Sequence, residues 1–185
     1  MAPKAKITRQ GIIDAAVEVI RSHGHKNLNV RTIAERLSCS TQPVLYHFQS
    51  MEEIRAAAYE AADAMHTAYI LSVPLRKDPM MELGMNYIRF GFEEKNLFRF
   101  LFQSGRFQGM NLEEMMKNPE LNDILAVIRK GMNCTAARAK RAFVTFFLLV
   151  HGIASLLANS GMEYEEEKFR KILKEEYQRM AGERK

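Results

Sequence analysis

The chain has little cysteine. Cys39 and Cys134 are the two in 185 residues, far apart and without the spacing of a ligand pair. A disulfide framework and a cysteine-based metal site are thereby excluded, and a reducing cytoplasm is the expected setting. Proline is scarce as well, with five residues, beside ten glycines and 47% hydrophobic residues. That composition excludes a disordered chain and leaves long helical stretches between the prolines. The N-terminal Met-Ala-Pro-Lys-Ala-Lys-Ile is charged but lacks the apolar run of a signal peptide, and reads as a short basic arm. There is no glycine-rich phosphate loop, no Gly-x-Ser-x-Gly and no His-Glu-x-x-His. Glu93-Glu94 and Glu113-Glu114 are adjacent pairs, which point to different helix faces and make no carboxylate dyad. His23 and His25 flank Gly24 without a third ligand nearby. No catalytic residue, metal or cofactor is therefore expected, and no enzyme.

Long apolar runs are also few. Ala142 to Met162 holds 21 residues without Asp, Glu, Lys or Arg, long enough to cross a bilayer. Thr145, His151, Gly152, Ser155, Asn159 and Ser160 interrupt it, so it reads as a buried helix or a subunit contact, with no membrane partner. Positive charge is unevenly placed: the net charge is +5, and residues 1–50 alone carry +4. A polyanion-binding module in the first fifty residues accounts for that imbalance.

What is present is helical periodicity. Val30, Ile33, Ala34 and Leu37 fall at i, i+3, i+4 and i+7, with Asn29 as N-cap. Ser38-Cys39-Ser40 allows a sharp turn, and a second short helix follows with Ser40 as N-cap and Pro43 in its first turn. Its apolar positions are Val44, Leu45 and Phe48. The pattern is a helix-turn-helix. Ser40, Thr41, Gln42, Tyr46 and His47 are left for an outside partner, either DNA or, on geometry alone, another protein.

The remaining elements follow from caps and stripes. A first helix over about 8–22 buries Ile12, Ile13, Ala16, Val17 and Ile20, starts at Thr8 and ends at Gly24. Ser50-x-x-Glu53 is a capping box opening a fourth helix, with Ile54, Ala57, Ala58, Ala61, Met65 and Ala68 on one face as far as Leu71. Asp78-Pro79 and Asn118-Pro119 repeat a cap-plus-proline start, for helices to about Phe92 and Gly131. Between them lies a helix over 95–104. Tyr87, Phe90, Phe92, Phe98, Phe100, Phe102 and Phe107, with Met80, Met81, Met85 and Met110, form either a filled core or an adaptable apolar pocket. An eighth helix over 135–159 is apolar around most of its circumference, so a second subunit is expected to cover it. A ninth, over 163–180, has acidic residues first and basic residues last, as the helix dipole favours. The fold class is all-α: about nine helices, an N-terminal three-helix helix-turn-helix domain and a C-terminal helical bundle.

Arg31-Thr-Ile-Ala-Glu-Arg-Leu, Ser40-x-x-Pro-Val-Leu-Tyr-His-Phe and Ser50-Met-Glu-Glu-Ile together resemble the N-terminal domain of TetR-family transcriptional regulators, over about Ile7 to Ala58. Pro43 and Met51 depart from the pattern, where Gly and Lys are common; Met51 removes one phosphate contact. The resemblance implies a DNA-binding domain over 1–49 and an effector-binding and dimerisation domain over 50–185. It implies a homodimer on a palindromic double-stranded operator, released by a small apolar effector, with family precedent for repression. On that reading Thr41 and Gln42 meet base edges, Pro43 a thymine methyl, and Lys6, Arg9, Arg31, Ser40, Tyr46 and His47 hold phosphates, with Lys4 in the arm and Asn29 beside them. The pocket would use Met65, Tyr87, Phe90, Phe98, Phe102, Phe107, Phe147 and His151. The dimer would use Phe143, Leu149, Leu156, Phe169, Ile172 and Leu173, from the last two helices. The alternatives are a DNA-binding dimer without effector and a protein-interaction bundle.

Overall fold

The computed structural model describes residues 7–72, 79–105, 109, 111–115, 117 and 121–182. Among them are ten α-helices, one 3-10 turn and no strand. The helices are α1 (Arg9–His23), α2 (Val30–Arg36), α3 (Thr41–His47), α4 (Met51–Leu71), α5 (Pro79–Glu93), α6 (Lys95–Gln103), α7 (Leu112–Met115), α8 (Leu121–Gly131), α9 (Ala136–Ser160) and α10 (Glu166–Gly182). The expected all-helical fold is the observed one. Lys4, Lys6, Asp78, Phe107, Met110, Asn118 and Pro119 lie outside the described residues. α7 was not anticipated, although Asn111 and Glu114 carry its signal. Asn111 Oδ1 accepts from the Glu114 amide at 3.0 Å, and Glu114 Oε2 accepts from the Asn111 amide at 2.9 Å. That is a capping box.

The chain divides into two compact units, residues 1–67 with 94–106, and residues 68–93 with 107–185. In the first unit, Ile12, Ala16 and Ile20 of α1 are fully buried with Ile33, Val44, Ala58, Leu97, Phe98 and Leu101. Thr8 Oγ1 accepts from the Gly11 amide at 3.1 Å to cap α1, and Gly24 ends it at φ 80°. α6 joins α1 through polar contacts. Asn96 Nδ2 donates to the Arg21 carbonyl at 2.9 Å, and Arg21 Nε meets Glu94 at 2.9 Å. His25, expected to face solvent, stacks on Phe100 with ring centroids 6.0 Å apart and is half-buried.

α4 buries a different face from the one expected. Ile54, Ala58, Tyr59, Ala62 and His66 point inward, whereas Met65 is 40% exposed and Ala68 is exposed. The inward residues fall at i, i+4, i+8 and i+12, and His66 completes the row because its ring meets Phe102 edge-on at 5.2 Å. Hydrophobicity alone favoured the methionine; packing chose its neighbour.

In the second unit α5 lies against α9 at close range. A Cβ on Gly91 would sit 2.7 Å from Ala154 Cβ and 3.0 Å from the Ala154 carbonyl oxygen; one on Gly84 would sit 2.7 Å from the Phe146 ring. Two glycines about two turns apart along α5 thus set how near the helices come. α5 and α10 are joined by ion pairs, Arg89–Glu166 at 3.1 Å and Arg170–Glu82 at 2.9 Å, with Arg170–Glu166 at 3.1 Å. Arg170 first, then Arg89, holds the Glu166 carboxyl below its ordinary range. α8 ends not through Gly131 but through Asn133 at φ 45°, with the Cys134 amide donating to the Arg129 carbonyl at 3.2 Å.

α9 is long and apolar enough to cross a bilayer by length and composition. Its buried side is Ala139, Ala142, Phe143, Phe146, Val150, Ala154, Leu157 and Ala158, the pattern of a core helix.

Candidate nucleic-acid interface

α2 is started by its own sequence. Asn29 Oδ1 accepts from the Arg31 and Thr32 amides at 3.0 Å each, and Thr32 Oγ1 accepts from the Asn29 amide at 3.2 Å. Asn29 Nδ2 donates to the Asn27 carbonyl at 3.1 Å. Every polar atom of this side chain is engaged in the helix start, so its place at the interface is that of a support rather than a contact.

The turn after α2 is set by two backbone bonds. The Cys39 amide donates to the Ala34 carbonyl at 3.0 Å, and the Ser38 amide to the Glu35 carbonyl at 3.1 Å. This is the Schellman arrangement, in which the residue after the cap takes a left-handed conformation. Ser38 occupies that position at φ 51°, where glycine is usual.

α3 is anchored by Val44, fully buried, and by Phe48, 1% exposed, just beyond its end. Thr41, Gln42, Leu45 and Tyr46 face outward, with Tyr46 84% exposed. Leu45, expected among the buried positions, is 56% exposed. In a helix of seven residues two anchors suffice to fix the roll, and Leu45 falls about 100° around the helix from Val44, outside the buried face. Ser40 is exposed and makes no capping bond, so its hydroxyl points to solvent, and Arg31 is exposed at the start of α2. Pro43 is half-buried.

Two expected phosphate contacts have other work. His47 Nε2 donates to the Ile7 carbonyl at 3.0 Å, tying α3 to the segment that precedes α1. Arg9 pairs with Glu53 at 3.1 Å, and its guanidinium carbon lies 4.5 Å from the centre of the Phe48 ring. Glu53 also accepts from the Gln49 amide at 2.9 Å, and that bond, ahead of Arg9, lowers its pKa. Its capping partner is therefore Gln49, one residue earlier than the expected Ser50, while Ser50 Oγ accepts from the Glu53 amide at 3.1 Å. The result is a staple that fixes α3 between the starts of α1 and α4. Arg9, Phe48 and Glu53 are its members, and only the ring could have been read from periodicity.

The residues expected to line a pocket are divided between the two units. Phe98 and Phe102 belong to the first unit with the exposed Met65, whereas Tyr87, Phe90, Phe147 and His151 belong to the second. In the second unit the Tyr87 hydroxyl and His151 Nδ1 are 2.8 Å apart, and Phe147 lies 5.4 Å from the His151 ring and 5.9 Å from that of Tyr87. Burial lowers the His151 pKa. A hollow of about 480 Å³ opens elsewhere, on the first unit, lined by Glu18, His23, Asn27, Thr32, Glu35 and Arg36; it contains no residue of the expected pocket. Among the described residues no three His, Cys, Asp or Glu side chains gather as metal ligands would.

Of the expected dimer residues, Phe143, Phe169 and Leu173 are buried within the chain, Leu149 is half-buried, and Leu156 (53%) and Ile172 (43%) are exposed. The outward stripe of α9 is Thr145, Leu148, Gly152, Leu156 and Asn159, with Leu148 54% exposed and nothing within 4 Å of a Cβ on Gly152. An all-apolar helix does not show in its sequence that its own chain leaves the side of Leu148 and Gly152 open.

The geometry is a helix-turn-helix with a polar outward second helix, in an all-helical chain. Residues 12–58 match the family model of the bacterial regulatory proteins of the tetR family. Over those residues the chain is similar to that family. A tetR-family transcriptional regulator from Streptomyces coelicolor shares the fold at TM-score 0.71 and 16% identity, over 98% of this chain and 84% of that one. A TetR-like transcriptional regulator from Rhodococcus sp. RHA1 does so at TM-score 0.67 and 14% identity, over 95% and 96%. A TetR variant from Acinetobacter baumannii AYE, in complex with minocycline, does so at TM-score 0.58 and 17% identity, over 96% of each chain. No curated protein matches.

Proposed function

We propose that the chain is a homodimeric repressor that binds a palindromic operator in the cytoplasm and leaves it when a small apolar molecule binds. On this reading residues 1–49 contact DNA, and residues 50–185 take the effector and form the dimer. The observation that carries the reading is the outward face of α3, where Thr41, Gln42 and Tyr46 are exposed on a helix held from behind by Val44 and Phe48. Gln42 pairs with adenine in the major groove, Thr41 meets the neighbouring base, and Ser40, Arg31 and Tyr46 hold phosphates. Arg9 and His47 position these groups. The open stripe of α9, with Ile172 of α10, is the dimer face; a two-fold dimer would space two α3 helices for half-sites about one DNA turn apart.

Tyr87, Phe147 and His151 offer an apolar molecule a hydrogen-bonding pair among aromatic rings. Release requires that the effector bind more tightly to the state that fits the operator poorly. A second reading, the same dimer with no effector, is favoured by the depth of this cluster, with Tyr87 7% and Phe90 2% exposed. One experiment tests the main reading. The purified protein is mixed with random duplex DNA, and the retained fraction is sequenced. An inverted repeat is expected; no enrichment at low salt overturns it.

A further inference from the structure

The outward face of α3 holds one residue that polar recognition leaves unexplained. Leu45 is 56% exposed, between an anchor on one side and polar groups on the other. Helical spacing puts it one turn beyond Thr41, three residues beyond Gln42 and beside Tyr46. These four side chains form one outward surface, apolar at one point and hydrogen-bonding around it. We propose that Leu45 determines specificity at one base pair, its isobutyl group packing on the C5-methyl of a thymine in each half-site. The proposal rests on the DNA reading above.

The chemistry of the major groove selects this partner. Thymine alone presents a methyl group there; cytosine presents an amino donor, and guanine and adenine present acceptors at N7. A leucine placed on any of those would strip water from a polar atom and return no hydrogen bond, which is unfavourable. On a thymine methyl it removes apolar surface from water on both partners. The family resemblance implies a methyl contact at Pro43, but Pro43 is half-buried and Leu45 is the more exposed. Arg31 at the start of α2 and Ser40 just before α3, both exposed, would provide the phosphate contacts that hold such a short-range contact in register.

The test uses the full-length protein and its selected operator, with each thymine replaced in turn by deoxyuridine, which lacks only the methyl. Wild type is expected to lose about fourfold in affinity per half-site at one symmetry-related thymine pair, the worth of one methyl-sized group. Leu45→Ala is expected to bind both DNAs alike, whereas Leu45→Met and Pro43→Ala keep the wild-type pattern. Circular dichroism checks that each variant is folded, which the exposure of Leu45 favours. A Leu45→Ala profile identical to wild type, or a wild type indifferent to every thymine, overturns the proposal while the operator reading stands. Failure of wild type to enrich any sequence overturns the operator reading, and the role of Leu45 with it.

Discussion

The two compact units are built by different means. In the first, helix ends are fixed by local devices: Thr8, Asn29 and Ser50 at helix starts, Gly24 and Ser38 at helix ends, and the staple of Arg9, Phe48 and Glu53. In the second, long helices are fixed by how closely they approach, through Gly84 and Gly91 on α5 and the ion pairs to α10. Local devices leave the outer surface of α3 free of structural duty, and a surface without structural duty can be given to a partner. Close approach uses most of the circumference of α9 and leaves one stripe. The difference teaches where each unit tolerates change.

The largest effect that separates them is expected at His66, in the first unit. Burial lowers its pKa from 6.5 to about 4. The folded chain thus remains unprotonated at pH values where the unfolded chain binds a proton. Its contribution is complete above pH 6.5 and is lost as pH falls toward 4, by about 3 kcal/mol in all. Denaturant titrations at pH 7 and pH 4.5 should show that fall, and His66→Leu should remove most of it. An unchanged pH slope in the variant would place the effect elsewhere.

Next in size is Gly91→Ala. The added methyl meets the Ala154 backbone, which cannot rotate away, and overpacking of this kind costs about 1–3 kcal/mol. A lower melting temperature is expected; Gly182→Ala at the end of α10, with nothing within 4 Å, should not lower it. If both variants melt alike, close approach is not what holds the second unit. The smallest effect is expected at the turn. Ser38→Gly relieves a left-handed conformation and should raise stability by about 1 kcal/mol, read as a shift in the denaturation midpoint.

The same contrast explains what was legible in the sequence. Asn29, Gly24 and the Ser38-Cys39-Ser40 turn act within a few residues, so their consequences can be read locally. Thr41, Gln42 and Tyr46 were found because a polar residue on a short helix with two anchors can point only outward. Leu45 was misplaced because hydrophobicity says nothing about which side of so short a helix lies inward. Met65 was chosen over His66 for the same reason, the deciding neighbour Phe102 being distant in the chain. Gly84 and Gly91 read as weak points in a helix until the opposing Phe146 and Ala154 are seen. The roles of Arg9 and His47 depend on Glu53 and the Ile7 carbonyl, and no spacing rule connects residues so far apart.

The central claim is that the outward face of α3 reads DNA, and Gln42 tests it most directly. Affinities of wild type and Gln42→Ala should be measured on the selected operator and on an unrelated duplex at the same salt concentration. A bidentate pair to adenine is worth about 1–3 kcal/mol, so the variant should bind the operator about tenfold or more weakly and the unrelated duplex equally well. Equal affinity for the operator, or the same loss on both duplexes, would contradict base reading by this face.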